Sequence, residues 1–413
     1  MKDENRLSAA IAFPDTKSTR TPKDVASSWG RLVARRSFLH ALGAAGAVLP
    51  ATTLVAGVDR NFDTKPLTRG DAALLRFAAA AELIETDLWQ QYNELGGMNG
   101  GNPAYIAALQ NLDGDMPQYI SDNTDDEITH AAFLNAYLIS KGEAPADLDA
   151  FRNLPSSKAT GSDQTIGRLT NLQSVNVSTS WYFRYRSTQN PDLGATFPEL
   201  LNIRNQPVIP ISDADTPPNT PQLVPPVSGA ARDQLRIQAI ANAAGFHFAS
   251  IEQGGSSLYP ILALKATSLE VLRILLSIGG TEIDHFAVWH DKAGNAVNQP
   301  FAGVVDPETK VRFPDFNNPK NQHNSQLSPK DKAAGSEMFQ TNLIFPEPCD
   351  FLVRDDLPRC SVIRPTLDRN GGAVATVKFL AGENLFLGQD KAFFAAVMGL
   401  AMAADAARRE GID

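Results

Sequence analysis

SLEVLRILLSIGGTEIDHFAVWHDKAGN, residues 268–295, has the pattern of one long helix. Ser268 is a good N-cap, and apolar residues recur at helical spacing through 271–276. Glu282 precedes His285 by three residues. Three residues along a helix turn by about 300°, so the carboxylate and the imidazole project from neighbouring points of one face. The pair is therefore a candidate half of a metal site.

The same spacing recurs at Glu127 and His130, within TDDEITHAAFLNAYLISK, residues 124–141. We expect this segment to be another long helix that ends at Gly142. Thr124 stands three residues before Glu127, so a capping box that makes Glu127 a helix cap is an alternative interpretation. A chain with fifteen glutamates and six histidines rarely repeats this spacing on two long helices by chance. The two motifs together predict one shared site.

Two further predicted helices each contain a candidate glutamate ligand. DAALLRFAAAAELIETDLWQQYNEL, residues 71–95, is rich in helix-forming residues and contains Glu82. ARDQLRIQAIANAAGFHFASIEQGGSSLY, residues 231–259, contains Glu252. We expect Pro260 to end or kink the latter helix. A shorter predicted helix starts near Pro103, between the first two long ones.

An aromatic residue follows each of these glutamates by seven positions, Trp89 after Glu82 and Tyr259 after Glu252. This offset places each aromatic two turns along the same helix face. Glu85, one turn from Glu82, could replace it or act as a further ligand. The aromatic residues are most simply core residues, although a tyrosine beside a metal centre can also carry redox work.

Other polar residues near the motifs have simpler interpretations. We interpret Asp87 as a residue of a solvated face. Asp284 is expected either to point away from the site or to hold one of the ligand residues in place. His247 is five residues before Glu252, off its face, and is interpreted as a packing or supporting residue. His290 is interpreted as a charge at a helix C-terminus, where the helix dipole favours it.

The arrangement of these residues resembles a known superfamily. One Glu from each of two helices and a Glu-x-x-His from each of the other two is the ligand set of di-iron and di-manganese carboxylate bundles. The order of the candidate ligands resembles that of ferritin-like proteins: Glu82, Glu127 with His130, Glu252, and Glu282 with His285. The stretches HAAFLNAYL, IEQGGSSLYPIL and EIDHFAVWHDK are similar to exported, desiccation-related ferritin-like domain proteins.

The resemblance implies a mainly α fold, with a ferritin-like four-helix bundle over residues 70–295. A Pro-, Ser-, Thr- and Asn-rich segment, about 155–228, would be the long crossover between the second and third bundle helices. Residues 296–413 are expected to form an irregular C-terminal region with short β-like runs such as AVATVKFL, residues 373–380. A final helix from about Asp390 either docks on the bundle or serves self-association in a homo-oligomer.

The ligand set predicts two iron or manganese ions, because carboxylate oxygens with imidazoles suit these metals whereas zinc often takes thiolates. By resemblance, the partners would be metal ions with dioxygen or peroxide, in iron oxidation, peroxide reduction or disproportionation, or metal storage. The two cysteines do not form a rubredoxin-like set, which argues against a rubrerythrin-type peroxidase. An oxidoreductase and a non-catalytic envelope or desiccation-stress protein are both open.

The N-terminal region resembles a bacterial twin-arginine export signal. ARRSFLHALGAAGAVLPATTLVAG, residues 34–57, joins Arg35 and Arg36 to a moderately apolar run that ends in small residues. Residues 1–56 are therefore expected to be a signal region that directs the chain to the periplasm or cell envelope. An uncleaved membrane anchor is the alternative. Because the twin-arginine route carries folded proteins, it favours a protein that receives a cofactor before export.

Charge and cysteine content narrow the classes of function that the sequence allows. The formal net charge of the 413 residues is −9, and clustered Lys and Arg are lacking, which argues against nucleic-acid binding. Cys349 and Cys360 lie in a Pro-rich region without the spacing of a zinc site. An exported protein could join them in one disulfide, and two unpaired thiols are the alternative.

Overall fold

The computed structural model describes residues 66–181, 199, 201–217, 231–297, 301–315, 346–347, 358, 360–361 and 371–411. The expected signal region 1–56 and Cys349 lie outside these ranges. The described residues are mainly helical, which confirms the predicted class.

Four long helices form two neighbouring pairs. Helix α1 (Arg69–Gly96) packs along α3 (Met116–Ser140), and the short α2 (Pro103–Leu112) lies between them in the chain. Helix α4 (Arg232–Lys265) packs along α5 (Leu269–Asn295) to form a helical hairpin, and α1 also contacts α4. The long helices predicted from the sequence are therefore all present, in the predicted order.

Side-chain caps begin helices α1 and α5, and a carboxylate in the first turn of α1 joins the two helix starts. Thr68 Oγ1 accepts a hydrogen bond from the backbone N–H of Asp71 at 3.0 Å, and Ser268 Oγ accepts one from Glu270 at 3.1 Å. The carboxylate of Asp71 accepts the N–H groups of Thr267 at 2.8 Å and Ser268 at 3.0 Å. The start of α1 is thereby anchored to the turn between α4 and α5.

Helix α3 begins earlier than the sequence indicated. Its first residue is Met116, with Pro117 in the first turn, a position where the missing proline N–H costs nothing. Thr124 lies inside the helix, where its hydroxyl donates to the backbone oxygen of Ile120 at 2.6 Å. The capping-box alternative for Glu127 is therefore wrong.

Pro260 does not end its helix, because α4 continues through it to Lys265. A proline in a helix interior removes one backbone hydrogen bond and costs about 3 kcal/mol. Nearly every residue of α4 is buried, so packing against its neighbours offsets this local cost.

The described part of the crossover is anchored to the helices. Strand β1 (Val175–Val177) pairs antiparallel with β2 (Ile203–Gln206). Asp87 of α1 is fully buried, pairs with Arg152 at 2.7 Å, and accepts the N–H groups of Leu169 and Thr170 at 2.9 Å each. The interpretation of Asp87 as a solvated residue is therefore wrong: it fastens the crossover to α1.

The C-terminal region contains strands β3 (Pro346–Glu347) and β4 (Cys360–Ser361), which pair antiparallel. The expected strand AVATVKFL instead lies in helix α6 (Ala373–Gly382). The carboxylate of Asp405 accepts the N–H groups of Ala373 at 2.8 Å and Val374 at 2.9 Å. This long-range cap stabilises the helix start and outweighs the β-propensity of the valines and threonine.

The final helix α7 (Lys391–Asp405) begins as expected after Asp390, whose carboxylate accepts the N–H of Phe393 at 2.8 Å. It packs against α6 and against α1, so this helix docks on one of the four long helices. Among the described residues, no helix has the length and apolar character needed to span a membrane.

Candidate metal centre

The six predicted ligands come from four helices and meet in the interior. They are Glu82 on α1, Glu127 and His130 on α3, Glu252 on α4, and Glu282 and His285 on α5. The four carboxylates are at most 1% exposed, and the His285 residue is 7% exposed. The side chain of His130, 11% exposed, marks the side of the site nearest to solvent.

The first cluster surrounds Nδ1 of His130. This nitrogen lies 3.4 Å from Oε2 of Glu82, 3.2 Å from Oε2 of Glu127 and 3.4 Å from Oε1 of Glu282. One ligand atom from each of these four residues lies within 4.8 Å of the others. The Glu-x-x-His spacing on α3 thus places both members of the motif at one point, as predicted.

The second cluster surrounds Nδ1 of His285. It lies 3.2 Å from Oε1 of Glu127 and 3.3 Å from Oε2 of Glu252, and Glu282 completes the group. Glu127 and Glu282 belong to both clusters. Each cluster therefore has one histidine and one glutamate of its own and shares two carboxylates with the other, so both shared groups could bridge two cations.

Several atoms of the clusters lack hydrogen-bond partners although they are buried. They are Oε2 of Glu82, Oε2 of Glu252, both carboxylate oxygens of Glu282, and Nδ1 of His285. Leaving buried carboxylate oxygens unpaired is costly unless a cation compensates them. The donor set of oxygens and imidazole nitrogens fits a divalent first-row metal. The clusters can thus hold metal ions.

Protons compete with cations for the same atoms. Burial, followed by repulsion from Glu82, raises the pKa of Glu127 to about 8, and burial with repulsion from Glu127 raises that of Glu282. Burial alone would lower the pKa of His130, but the surrounding carboxylates outweigh it and raise this pKa. The site therefore retains protons when it holds no metal, and metal binding would displace them.

Asn123 supports both clusters, and sequence reasoning missed it. Its amide nitrogen donates to Oε1 of Glu127 at 2.9 Å and to Oε1 of Glu252 at 3.1 Å. Its own oxygen accepts from Nε1 of Trp289 at 2.7 Å. The only local signal was its position one helical turn before Glu127.

Asp126 orients His285 and was also missed. Its carboxylate lies 3.0 Å from Nε2 of His285, which leaves Nδ1 of the same ring facing the clusters. The hydrogen bond to His285 lowers the pKa of Asp126. A carboxylate partner of this kind fixes the ring orientation and tautomer of a metal-binding histidine.

Trp89 and Tyr259, which follow Glu82 and Glu252 by seven residues, each donate a hydrogen bond to the glutamate on the other helix. Nε1 of Trp89 donates to Oε1 of Glu252 at 2.9 Å, and the hydroxyl of Tyr259 donates to Oε1 of Glu82. On its other side, Tyr259 lies close to α5: a Cβ at Gly279 would be 2.7 Å from Cβ of Tyr259. The two aromatics are buried, as expected, and each also holds a carboxylate of the site.

The remaining candidates lie outside the clusters. Glu85 is half-buried and belongs to neither group, although burial and the nearby carboxylates raise its pKa. Asp284 is exposed, as expected. His247 is buried against Tyr92, in agreement with a packing role. His290 is fully buried and packs against Trp181, so its interpretation as an end charge is wrong.

Comparison of the chain with protein-family models, curated proteins and solved structures gave no match. The support for a metal centre accordingly comes from the geometry and chemistry of these side chains.

Proposed function

We propose that this chain is a ferritin-like protein with a dinuclear iron or manganese carboxylate centre. The observation that carries the proposal is that Glu127 and Glu282 each belong to both clusters. Two separate mononuclear sites would not need shared carboxylates, whereas a dinuclear centre uses them as bridges. The helix order and the order of the ligands along the chain support a ferritin-like bundle.

Such a centre, when loaded, exchanges electrons in pairs with dioxygen or peroxide. The chain would contribute the ligands and their environment. Glu82 with His130 would hold one ion, Glu252 with His285 the other, and the two shared carboxylates would join them. Asp126, Asn123 and the two aromatic donors would keep these groups in place, and the burial of the carboxylates would keep bulk water away.

We propose export to the periplasm or cell envelope on the basis of residues 34–57, and a role in handling metal, dioxygen or peroxide under stress. The second candidate is a non-catalytic envelope or desiccation-stress protein. The oxygens of Glu282 are buried and make no hydrogen bond, which favours the metal-dependent role, since a scaffold has no need of such a carboxylate.

Elemental analysis of protein purified as folded cytoplasmic precursor tests the proposal. We expect about two iron or manganese ions per chain, the number used by carboxylate bundles of this ligand set. Glu282→Gln should lose both, because Glu282 belongs to both clusters. Asp284→Asn, an exposed position two residues away on the same helix, is the matched control and should keep both. A wild-type protein that binds no metal under these conditions would overturn the proposal.

Activity assays then distinguish the catalyst from the scaffold. Ferrous-ion oxidation and peroxide consumption by the loaded protein, lost in Glu282→Gln and kept in Asp284→Asn, would indicate an oxidoreductase. Stable metal binding without either activity would indicate storage or a structural role.

A further inference from the structure

A tyrosine and a histidine outside the two clusters form a fully buried pair. The phenolic oxygen of Tyr92 lies 2.6 Å from Nδ1 of His247, and neither residue is exposed. Burial lowers the pKa of His247 to about 3 and raises that of Tyr92. The phenol is therefore the donor, and a neutral imidazole is the acceptor.

Trp89 lies between this pair and the metal site. Its Nε1 donates to Oε1 of Glu252 at 2.9 Å, and its ring centroid is 5.6 Å from that of Tyr92. Trp89 is fully buried, as is Phe248, whose ring packs against both Trp89 and Tyr92. The closely packed aromatic rings give a short, dry route for an electron between Tyr92 and a ligand of the second cluster.

We propose that Tyr92 is a redox-active residue that exchanges one electron with the metal site through Trp89 while its phenolic proton moves to His247. This inference rests on the proposed function, because the electron acceptor would be an oxidised iron or manganese ion for which Glu252 would be a ligand.

The step balances within the protein. With an oxidised iron or manganese ion bound as the acceptor, Tyr92 would lose one electron and the ion would gain it. The O–H bond of Tyr92 breaks, and the proton forms an N–H bond at Nδ1 of His247. A one-electron-oxidised phenol is a strong acid, so even a weakly basic imidazole accepts its proton. The reverse step returns electron and proton, and the pair thereby stores one oxidising equivalent away from solvent.

Two other buried tyrosines lack a suitable base. The hydroxyl of Tyr105 donates to the backbone oxygen of Val208 at 2.7 Å, and a carbonyl oxygen does not hold a proton at neutral pH. The hydroxyl of Tyr259 donates to Glu82. Protonation of Glu82 would remove the negative charge that a metal ligand needs. Of these three tyrosines, Tyr92 is the one whose partner can take the proton and leave the metal site intact.

Freeze-quenched electron paramagnetic resonance after peroxide addition to metal-loaded protein tests the inference. We expect a neutral tyrosyl radical in the wild type that is lost in Tyr92→Phe and persists in the matched control Tyr105→Phe. His247→Gln keeps a hydrogen-bond acceptor but removes the base, so it should also lose the radical. Metal content, measured in every variant, should equal that of the wild type.

Contrary outcomes are distinguishable. A radical that survives in Tyr92→Phe, one that is lost only in Tyr259→Phe, or no radical in fully loaded wild type would overturn the inference and leave the metal site standing. If the wild type holds no metal, the proposed function fails. The pair is then tested in metal-free protein with a photogenerated ruthenium(III) oxidant. There, a Tyr92 radical that depends on His247 shows that the proton moves to His247 and that only the metal acceptor of the inference is wrong. Absence of the radical, or an equal yield in His247→Gln, refutes the role of the pair as well.

Discussion

Gly255 on α4 makes room for the carboxylate of Glu282 on α5. A Cβ atom at position 255 would overlap Oε2 of Glu282 and would lie 3.0 Å from its Cδ. The adjacent Gly254 is also buried in α4, yet a Cβ there would meet nothing within 4 Å. Two neighbouring glycines of one helix therefore differ in whether a shared carboxylate of the metal site depends on them.

Gly255→Ala should lower metal content by displacing the Glu282 carboxylate. Gly254→Ala is the matched control: it should keep the metal and stabilise the helix by about 0.5–1 kcal/mol, the usual gain when alanine replaces a helical glycine. Elemental analysis and thermal unfolding of the two variants measure these effects. Equal metal content in both variants would mean that Glu282 can bind without this space.

Asp126→Asn should weaken metal binding without removing any ligand. The variant loses the carboxylate that holds Nε2 of His285, and loss of such a partner weakens metal affinity by about 10–100-fold. Asp125→Asn, the exposed neighbouring position, should bind metal like the wild type. Competition with a metallochromic chelator measures the affinities. Identical affinities in the two variants would show that His285 is oriented by other contacts.

The Tyr92–His247 pair should make stability depend on pH. His247 titrates at about 3 when folded and near 6.5 when unfolded, so below pH 6.5 the unfolded chain binds a proton that the folded chain does not. The free energy of unfolding therefore falls as pH falls through this window, by about 1.4 kcal/mol per pH unit.

The double variant Tyr92→Phe/His247→Leu lacks this contribution. Relative to the variant, the wild type should lose about 2 kcal/mol between about pH 6.5 and 5. Urea unfolding of both proteins, after chelation of metal, checks the value. A difference that stays constant across this pH interval would show that His247 does not remain neutral in the folded protein.

The ligands could be predicted from the sequence because their signals are local. Glu127 with His130, and Glu282 with His285, are paired by helical geometry alone, and any helix over these positions places them on one face. The shared aromatic offset is one of the sequence signals that favour Glu82 and Glu252. The structure explains why the offset is informative: Trp89 on α1 donates a hydrogen bond to Glu252 on α4, and Tyr259 on α4 donates one to Glu82 on α1.

Features that depend on contacts between distant elements could not be predicted. Asp126 on α3 reaches His285 on α5 although the two residues are 159 positions apart in the chain. Helix α6 forms where the local pattern favoured a strand, since Asp405 caps its first turn from the far end of α7. Pro260 is accommodated because α4 is buried along most of its length. In each case tertiary contacts outweigh local propensity.

Removal of one unshared ligand should remove one ion. Glu82 belongs only to the first cluster and Glu252 only to the second, whereas each cluster keeps three other ligands. Glu82→Gln preserves an acceptor for the Tyr259 hydroxyl and replaces one carboxylate oxygen by a poorly binding amide group. Glu82→Gln and Glu252→Gln should therefore each retain about one ion per chain, half of the content expected for a dinuclear site.

Glu85→Gln provides the comparison that assigns the ligand on α1. Glu85 lies one turn from Glu82, carries the same charge and is also close enough to the other carboxylates for them to raise its pKa, but it lies outside both clusters. Metal titration followed by elemental analysis should give about two ions per chain for Glu85→Gln. If Glu85→Gln instead lost one ion and Glu82→Gln kept both, Glu85 would be the ligand on α1. A slight rotation of α1 would let a carboxylate at either position reach the metal.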